Sequence, residues 1–190
     1  MSPITDKFSS EISLINKYLD NLIVPNREVE GLIQLSESMR YSLVNPGKRF
    51  RALLTLLTAR ALDFELNLVL PYSAAVELVH TYSLVHDDLP SMDNDDYRRG
   101  QPSNHKVYGE AMATISGDAL LTFAFEHIAD SYQQMPKLGM RAIKTLSYAS
   151  GWQGMVGGQA MDIVAKERGE IASLQVQMLH EKKTGALIQA

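Results

Sequence analysis

Between Pro71 and Leu89 the sequence reads PYSAAVELVHTYSLVHDDL, a run that is apolar with few breaks and ends in two adjacent aspartates. Such a run suits a buried helix with Pro71 at its first position, where the missing N–H is no loss. Pro90 disfavours continued helix at Leu89, so Asp87 falls in the last turn. There the negative end of the helix dipole repels a carboxylate unless a cation is bound beside it. The rest of the chain has to be read around a buried helix with an acidic end.

Five carboxylates, Asp87, Asp88, Asp93, Asp95 and Asp96, fall within ten residues, and Arg98 and Arg99 follow at once. Hard oxygen ligands suit Mg²⁺, which is usually held by one or two carboxylates plus the phosphates of a substrate. Arginine grips such phosphates with its planar fork of donors. The order of signs therefore reads as a metal-and-diphosphate site, against the blander reading of a solvated acidic loop. His80 lies seven residues before Asp87, two turns below on the same face. Asp93 lies beyond Pro90 and meets Asp87 at one metal only if residues 90 to 93 loop back. An EF-hand starting at Asp93 is excluded, because it needs glycine where Arg98 stands.

The chain has 190 residues, 45% hydrophobic, enough for one domain, 1–190, with a sizeable core. A net charge of -4 without a basic stripe argues against a nucleic-acid partner. Without cysteine there is neither a disulfide framework nor a thiolate metal site. The start, MSPITDKFSS, lacks a basic segment leading into an apolar run, and no stretch approaches the roughly 18 uninterrupted apolar residues of a membrane span. A cytoplasmic protein is expected.

Apolar residues recur at helical spacing throughout. Phe8, Ile12, Ile15, Leu19 and Leu22 mark a helix ending near Pro25, and Val29, Leu32, Leu35, Met39 and Leu43 mark a second from Glu28 to Val44. Asn45-Pro46-Gly47 stops it. A third helix, Lys48 to Leu62, would offer Phe50, Leu53, Leu54 and Leu57 to a core, with a connection from Asp63 to Leu70. Glu110 to Gln134 reads as a long helix whose Ala113, Leu120, Leu121, Phe123 and Phe125 are apolar on more than one face. Gly117 in its interior suggests close helix packing, with Asp118 beside it expected as a buried carboxylate. A helical run follows from Pro136 to Ser150, Gly151 to Glu167 is glycine-rich yet apolar and is broken by Arg168-Gly169, and a last helical run extends from Ser173 to Ala190. There is no sustained period-two alternation, so the fold class is all-α, with the long helices of a bundle.

Three further motifs carry charge or polarity. GKRFR (47–51) follows a turn and opens a helix, where backbone donors and the dipole favour anions. Lys48 and Arg51, three apart, share a face while Arg49 points elsewhere. GGQAMD (157–162) supplies Gln159 and Asp162. Lys182-Lys183-Thr184-Gly185 lies in the last helical run, where glycine permits close approach to the backbone. In this order, and with the spacing DDLPSMD, the motifs resemble those of the trans-isoprenyl diphosphate synthases, in particular the bacterial farnesyl diphosphate synthases.

That resemblance implies an antiparallel helical bundle of the isoprenoid synthase type, Mg²⁺ as cofactor, and isopentenyl and allylic diphosphates as substrates. It implies isopentenyl diphosphate contacts for Lys48, Arg51, His80 and Arg99, with Gly47 in the same motif, and an allylic diphosphate contact for Arg98. Lys183 joins the allylic diphosphate, and the backbone near Thr184 helps to stabilise the carbocation. Gln159 and Asp162 line the same cavity, or form a structural polar pair. Asp87 and Asp93 become metal ligands with Asp88 behind them, while Asp95 and Asp96 are solvated or paired with arginine. Tyr82 and Ser83, five and four residues before Asp87, would form the floor that limits product length and favour the fifteen-carbon product over a twenty-carbon one. A terpene cyclase also uses an aspartate-rich motif but needs no second diphosphate. The family's homodimers would pair through Glu110 to Gln134. Its second aspartate-rich motif and basic C-terminal region have no counterpart in these residues. The 190-residue chain alone is therefore expected to be inactive, as a fragment or as a non-catalytic subunit.

Overall fold

The computed structural model describes residues 7–168 and 173–190. They fall into two compact units, Met1–His127 and Ile128–Ala190. In the first unit, α4 (Leu66–Asp87) packs against α1 (Ser9–Asp20), α2 (Glu30–Val44) and α3 (Phe50–Ala61). A two-stranded ribbon follows, β1 (Tyr97–Arg98) and β2 (Gln101–Pro102), then α5 (Asn104–Tyr108) and α6 (Glu110–Ser131), which continues past the unit boundary. The second unit adds α7 (Pro136–Ser150), α8 (Met155–Arg168), α9 (Ser173–His180), a π-helical stretch Glu181–Gly185 and α10 (Ala186–Gln189).

The central helix starts five residues before Pro71, not at it. Pro71, in the second turn, removes the bond its N–H would have given to Asn67 and sets its ring against that carbonyl, next to the buried Leu70. By length and mean hydropathy (1.2) α4 would suit a membrane span, contrary to expectation, but 61% of its most apolar window is buried inside the fold. Its apolarity is accounted for by the helices around it.

Two helix faces are rotated from their expected positions. In α3 the core side chains are Ala52, Leu53, Leu56 and Ala59, while Phe50 is exposed and Leu54 and Leu57 are half-buried. In α2, Val29 precedes the helix and Leu32 is exposed, whereas Ser36, Ser38, Met39 and Leu43 turn inward. Polar bonds decide this second case. Asn104 donates to the Ser38 carbonyl and to Ser42 Oγ, both at 2.9 Å, and Ser38 and Ser116 bond at 2.7 Å. A buried network that satisfies its own donors fixes a helix orientation as firmly as apolar packing does.

In α6 the buried positions Ala113, Ser116, Gly117, Leu120 and Ala124 form one stripe, leaving Leu121, Phe123 and Phe125 half-buried. A Cβ on Gly117 would enter the His86 ring, so the glycine does permit close packing of α6 on α4. Asp118 is not buried: its side chain is 66% exposed, 3.8 Å from His86 Nε2. Its glycine neighbour faces the core, and one residue further round the helix faces solvent. The expected break at Gly169 lies outside the described residues.

Candidate active site

The N-terminus of α3, the middle of α4 and the ribbon meet around one cavity of about 1010 Å³. Gly47, Lys48, Arg51, His80 and Arg99 line it together with Glu77, and α1 contributes Ile12 and Asn16. Local geometry explains how two adjacent arginines serve different places. Arg99 (φ 54°) and Gly100 (φ 80°) both have positive φ and form the two-residue link between β1 and β2, the geometry of a type I′ hairpin. Arg98, in the strand, turns to Asp88, while Arg99 turns into the cavity. A side chain on Gly47 would collide with the Arg99 guanidinium, so glycine here lets that group lie against the backbone.

Charge in this cleft is predominantly positive. Burial, together with Arg51, Arg99, Arg49 and Arg98, lowers the His80 pKa to about 3. Its neutral ring can then accept from Arg51 Nη1, 3.3 Å from Nε2. Burial lowers the Arg51 and Arg99 pKa values, and for Arg99 the neighbouring cations add to the effect. Arg51 Nε is buried with no hydrogen-bond acceptor among the described residues. An anion is the ligand that would relieve all of these groups at once.

At the end of α4 the chain does loop back. The Asp93 N–H donates to the Asp87 carbonyl at 2.9 Å, and the Asn94 N–H to Leu89 at 3.1 Å, with Asn94 at φ 52°. Asp88, 2% exposed, accepts from Arg98 Nε at 2.9 Å and also from Nη2, which reaches Asp95 at 3.1 Å. The Asp88 carboxylate is thus committed to Arg98, whose pKa it raises. Asp96 pairs with Lys106 at 2.8 Å rather than with an arginine, because α5 brings the lysine to it. Among the described residues no group of three or more His, Cys, Asp or Glu side chains could hold a metal ion. Asp87 and Asp93 fit the smaller requirement of Mg²⁺, two hard carboxylates completed by phosphate oxygens, at a helix end that favours a cation.

Tyr82 is buried one turn before Asp87, edge-on to His86, and burial with the nearby Asp87 charge pushes its hydroxyl up to about 12. Ser83 is half-buried and donates to the His80 carbonyl at 2.9 Å.

In the second unit Lys183 and Thr184 lie in the π-helical stretch. Lys183 Nζ donates to Asp162 Oδ2 at 2.6 Å, which lowers the Asp162 pKa, and Lys182 Nζ donates to the Gln153 carbonyl at 2.6 Å. Asp162 therefore pairs with Lys183 rather than with the half-buried Gln159. Gly158 is the glycine that lies against this stretch, since its Cβ would meet the Lys183 backbone, while Gly185 has only ordinary contact at 3.7 Å.

A family model described as polyprenyl synthetase matches residues 33–190. The chain belongs to that family. It is 46% identical over 177 residues to a farnesyl diphosphate synthase of Geobacillus stearothermophilus, covering 92% of this chain and 57% of the relative. Identity is 42% to the large subunit of a heterodimeric geranylgeranyl pyrophosphate synthase of Arabidopsis thaliana, over 95% of this chain and 49% of the relative. A solved FPP/GFPP synthase from Zymomonas mobilis superposes with a TM-score of 0.90 at 36% identity, covering 96% of this chain and 66% of that one. The chain thus spans about half of the length of the curated relatives it matches. The all-α fold is that of the isoprenoid synthases.

Two features of this member of the polyprenyl synthetase family have little or no signal in the sequence. The Arg99-Gly100 hairpin had a signal, since arginine-glycine between two extended pairs is compatible with a two-residue turn. The π-helical stretch had none beyond the glycine at its end, although such stretches are frequent at functional sites.

Proposed function

We propose that the chain contributes the isopentenyl diphosphate cleft and the first magnesium-binding arm of a head-to-tail prenyltransferase. The reaction condenses isopentenyl diphosphate with dimethylallyl or geranyl diphosphate to farnesyl diphosphate. The observation that carries the reading is the division of labour in the hairpin: Arg99 joins Arg51 and His80 in one cavity while Arg98 is held on Asp88. Two separately handled diphosphates are what a condensation requires and a cyclisation does not.

Lys48, Arg51 and Arg99 would neutralise the isopentenyl diphosphate and hold its double bond in place, with neutral His80 orienting Arg51. Arg98, fixed by Asp88, would hold the allylic diphosphate, with Asp87 and Asp93 as the protein's metal ligands. Bound Mg²⁺ supplies charge neutralisation for the departing diphosphate. For Lys183 and the Thr184 backbone the proposed roles are the allylic diphosphate and the developing cation. For Gln159 the proposed role is a substrate contact. A cytoplasmic homodimer pairing through α6 is part of the same proposal, supported by its half-exposed Ile115 and half-buried Phe123 and Phe125.

Calorimetric titration of the chain with isopentenyl diphosphate tests the cleft: binding that Arg51→Ala abolishes is expected, and no binding to the unaltered chain refutes the reading. A chimera joining this chain to the remaining part of the Geobacillus relative should condense the two substrates. Failure at every magnesium concentration would favour the non-catalytic subunit. A second reading, a twenty-carbon product, is favoured by the names of the Arabidopsis relatives and disfavoured by the bulk of Tyr82.

A further inference from the structure

We propose that Arg49 and Glu77 are positioning residues of the diphosphate cleft, a buried ion pair that sets where Lys48 and Arg51 stand without touching the ligand. The inference rests on the reading of the cleft given above.

Arg49 is 3% exposed and Glu77 1%, at the back of the cavity. A single guanidinium ties three helices together: Nε donates to Asn16 Oδ1 of α1 at 2.9 Å, and Nη2 to the carbonyls of Leu43 and Asn45 at 2.8 and 3.2 Å. Nη1 lies 3.5 Å from Glu77 Oε2 on α4. The Arg49 backbone caps a fourth helix, α3, in a left-handed conformation (φ 46°, ψ 33°) that a side chain ordinarily disfavours. The contacts of its own side chain are what hold it there. Glu77 completes the arrangement, because its Oε1 accepts the Ala52 N–H at 3.3 Å, in the first turn of α3. It thereby satisfies a donor that the helix start leaves open and places a negative charge at the positive dipole end.

The consequence falls on the ligand-facing groups. Lys48 and Arg51 flank this anchor in sequence, and His80 stands one turn beyond Glu77 on α4. Lys48, Arg51 and Arg99 repel one another, so an unanchored α3 start would swing away from Arg99. Glu77 supplies the opposing charge for both Arg51 and Arg99. A pair kept for stability alone would be replaceable, since buried ion pairs are often matched or bettered by apolar residues of similar volume. Geometry is what the pair adds.

The test uses Arg49→Met/Glu77→Met together, which leaves no lone buried charge, and Arg49→Lys, which keeps the charge but cannot span the same acceptors. Circular dichroism establishes folding, and calorimetry with isopentenyl diphosphate is run well below the melting temperature. Both folded variants should bind at least about tenfold more weakly than the unaltered chain, a factor of ten being about 1.4 kcal/mol. Undiminished affinity in the folded double variant overturns the inference and leaves the cleft reading intact. Should the double variant lose its helical signal, Arg49→Lys decides by the same criterion. Absence of binding by the unaltered chain overturns the cleft reading and this inference with it.

Discussion

Acidification from pH 7 to pH 5 should destabilise the protein through His80 more than through an ordinary histidine. Its pKa is about 3 in the folded chain, against an ordinary value near 6.5, because it is buried and faced by Arg51, Arg99, Arg49 and Arg98. Below about pH 6.5 the unfolded chain binds a proton that the native chain refuses. Stability is therefore full above that pH and is lost as pH falls toward 3. The slope approaches about 1.4 kcal/mol per pH unit, so by pH 5 the loss from this one group is about 2 kcal/mol. His80→Gln keeps an acceptor for Arg51 and does not titrate. Urea unfolding of both proteins at pH 7 and pH 5 gives four free energies, and their double difference isolates His80 from every other titrating group. A double difference near zero would refute the reasoning, because the cleft would then not hold its histidine neutral.

Asp88→Asn should cost about 1–2 kcal/mol in thermal melts, the low end for a charged hydrogen bond because the Arg98 side chain is 32% exposed, and should weaken allylic diphosphate binding further. Gly158→Ala should destabilise the second unit by about 1–3 kcal/mol, since the new methyl meets Lys183 backbone rather than a movable side chain; hydrogen exchange in α8 and the π-helical stretch would report it. Asp87→Ala or Asp93→Ala should abolish magnesium-dependent binding of a non-hydrolysable allylic analogue while the helical signal is retained, and relief of crowded negative charge should leave stability equal or slightly higher. Tyr82→Ala in the Geobacillus chimera should lengthen the product beyond fifteen carbons, read by chromatography. An unchanged product with reduced stability would leave Tyr82 a core aromatic.

The all-α class was legible because helical spacing recurs in segment after segment without a competing period. Motif order disclosed the cleft residues, and Lys48, Arg51, His80 and Arg99 do line one cavity. Helix rotation is not legible where polar side chains set it, as Ser38 and Ser116 do around Asn104, because an apolar count is blind to hydrogen bonds. The preference of proline for a helix start puts Pro71 at one, but a preference is not a stop signal, and the buried helix runs one turn further back through it. The helical spacing that sends Arg49 away from Lys48 and Arg51 does not hold, since all three line one cavity with Arg49 at its back, and four-helix anchoring by one side chain leaves no mark on the sequence beyond an arginine among arginines.

The Arg99-Gly100 turn makes spacing on its two sides unequal in meaning. Upstream, the DDLPSMD loop closes by backbone bonds around residues 89 to 94, so a residue more or fewer there changes the size of a bulge and is tolerated as long as Asp93 still meets Asp87. In the ribbon a slip of one residue would exchange the destinations of neighbouring side chains, sending toward Asp88 the arginine that belongs in the cavity. The interval from Tyr97 to Pro102 behaves like a reading frame. Loop-length variation among proteins of this architecture should gather before it and stay out of it, and grafts that respect the motif residues but shift this interval by one should fold and yet fail to bind.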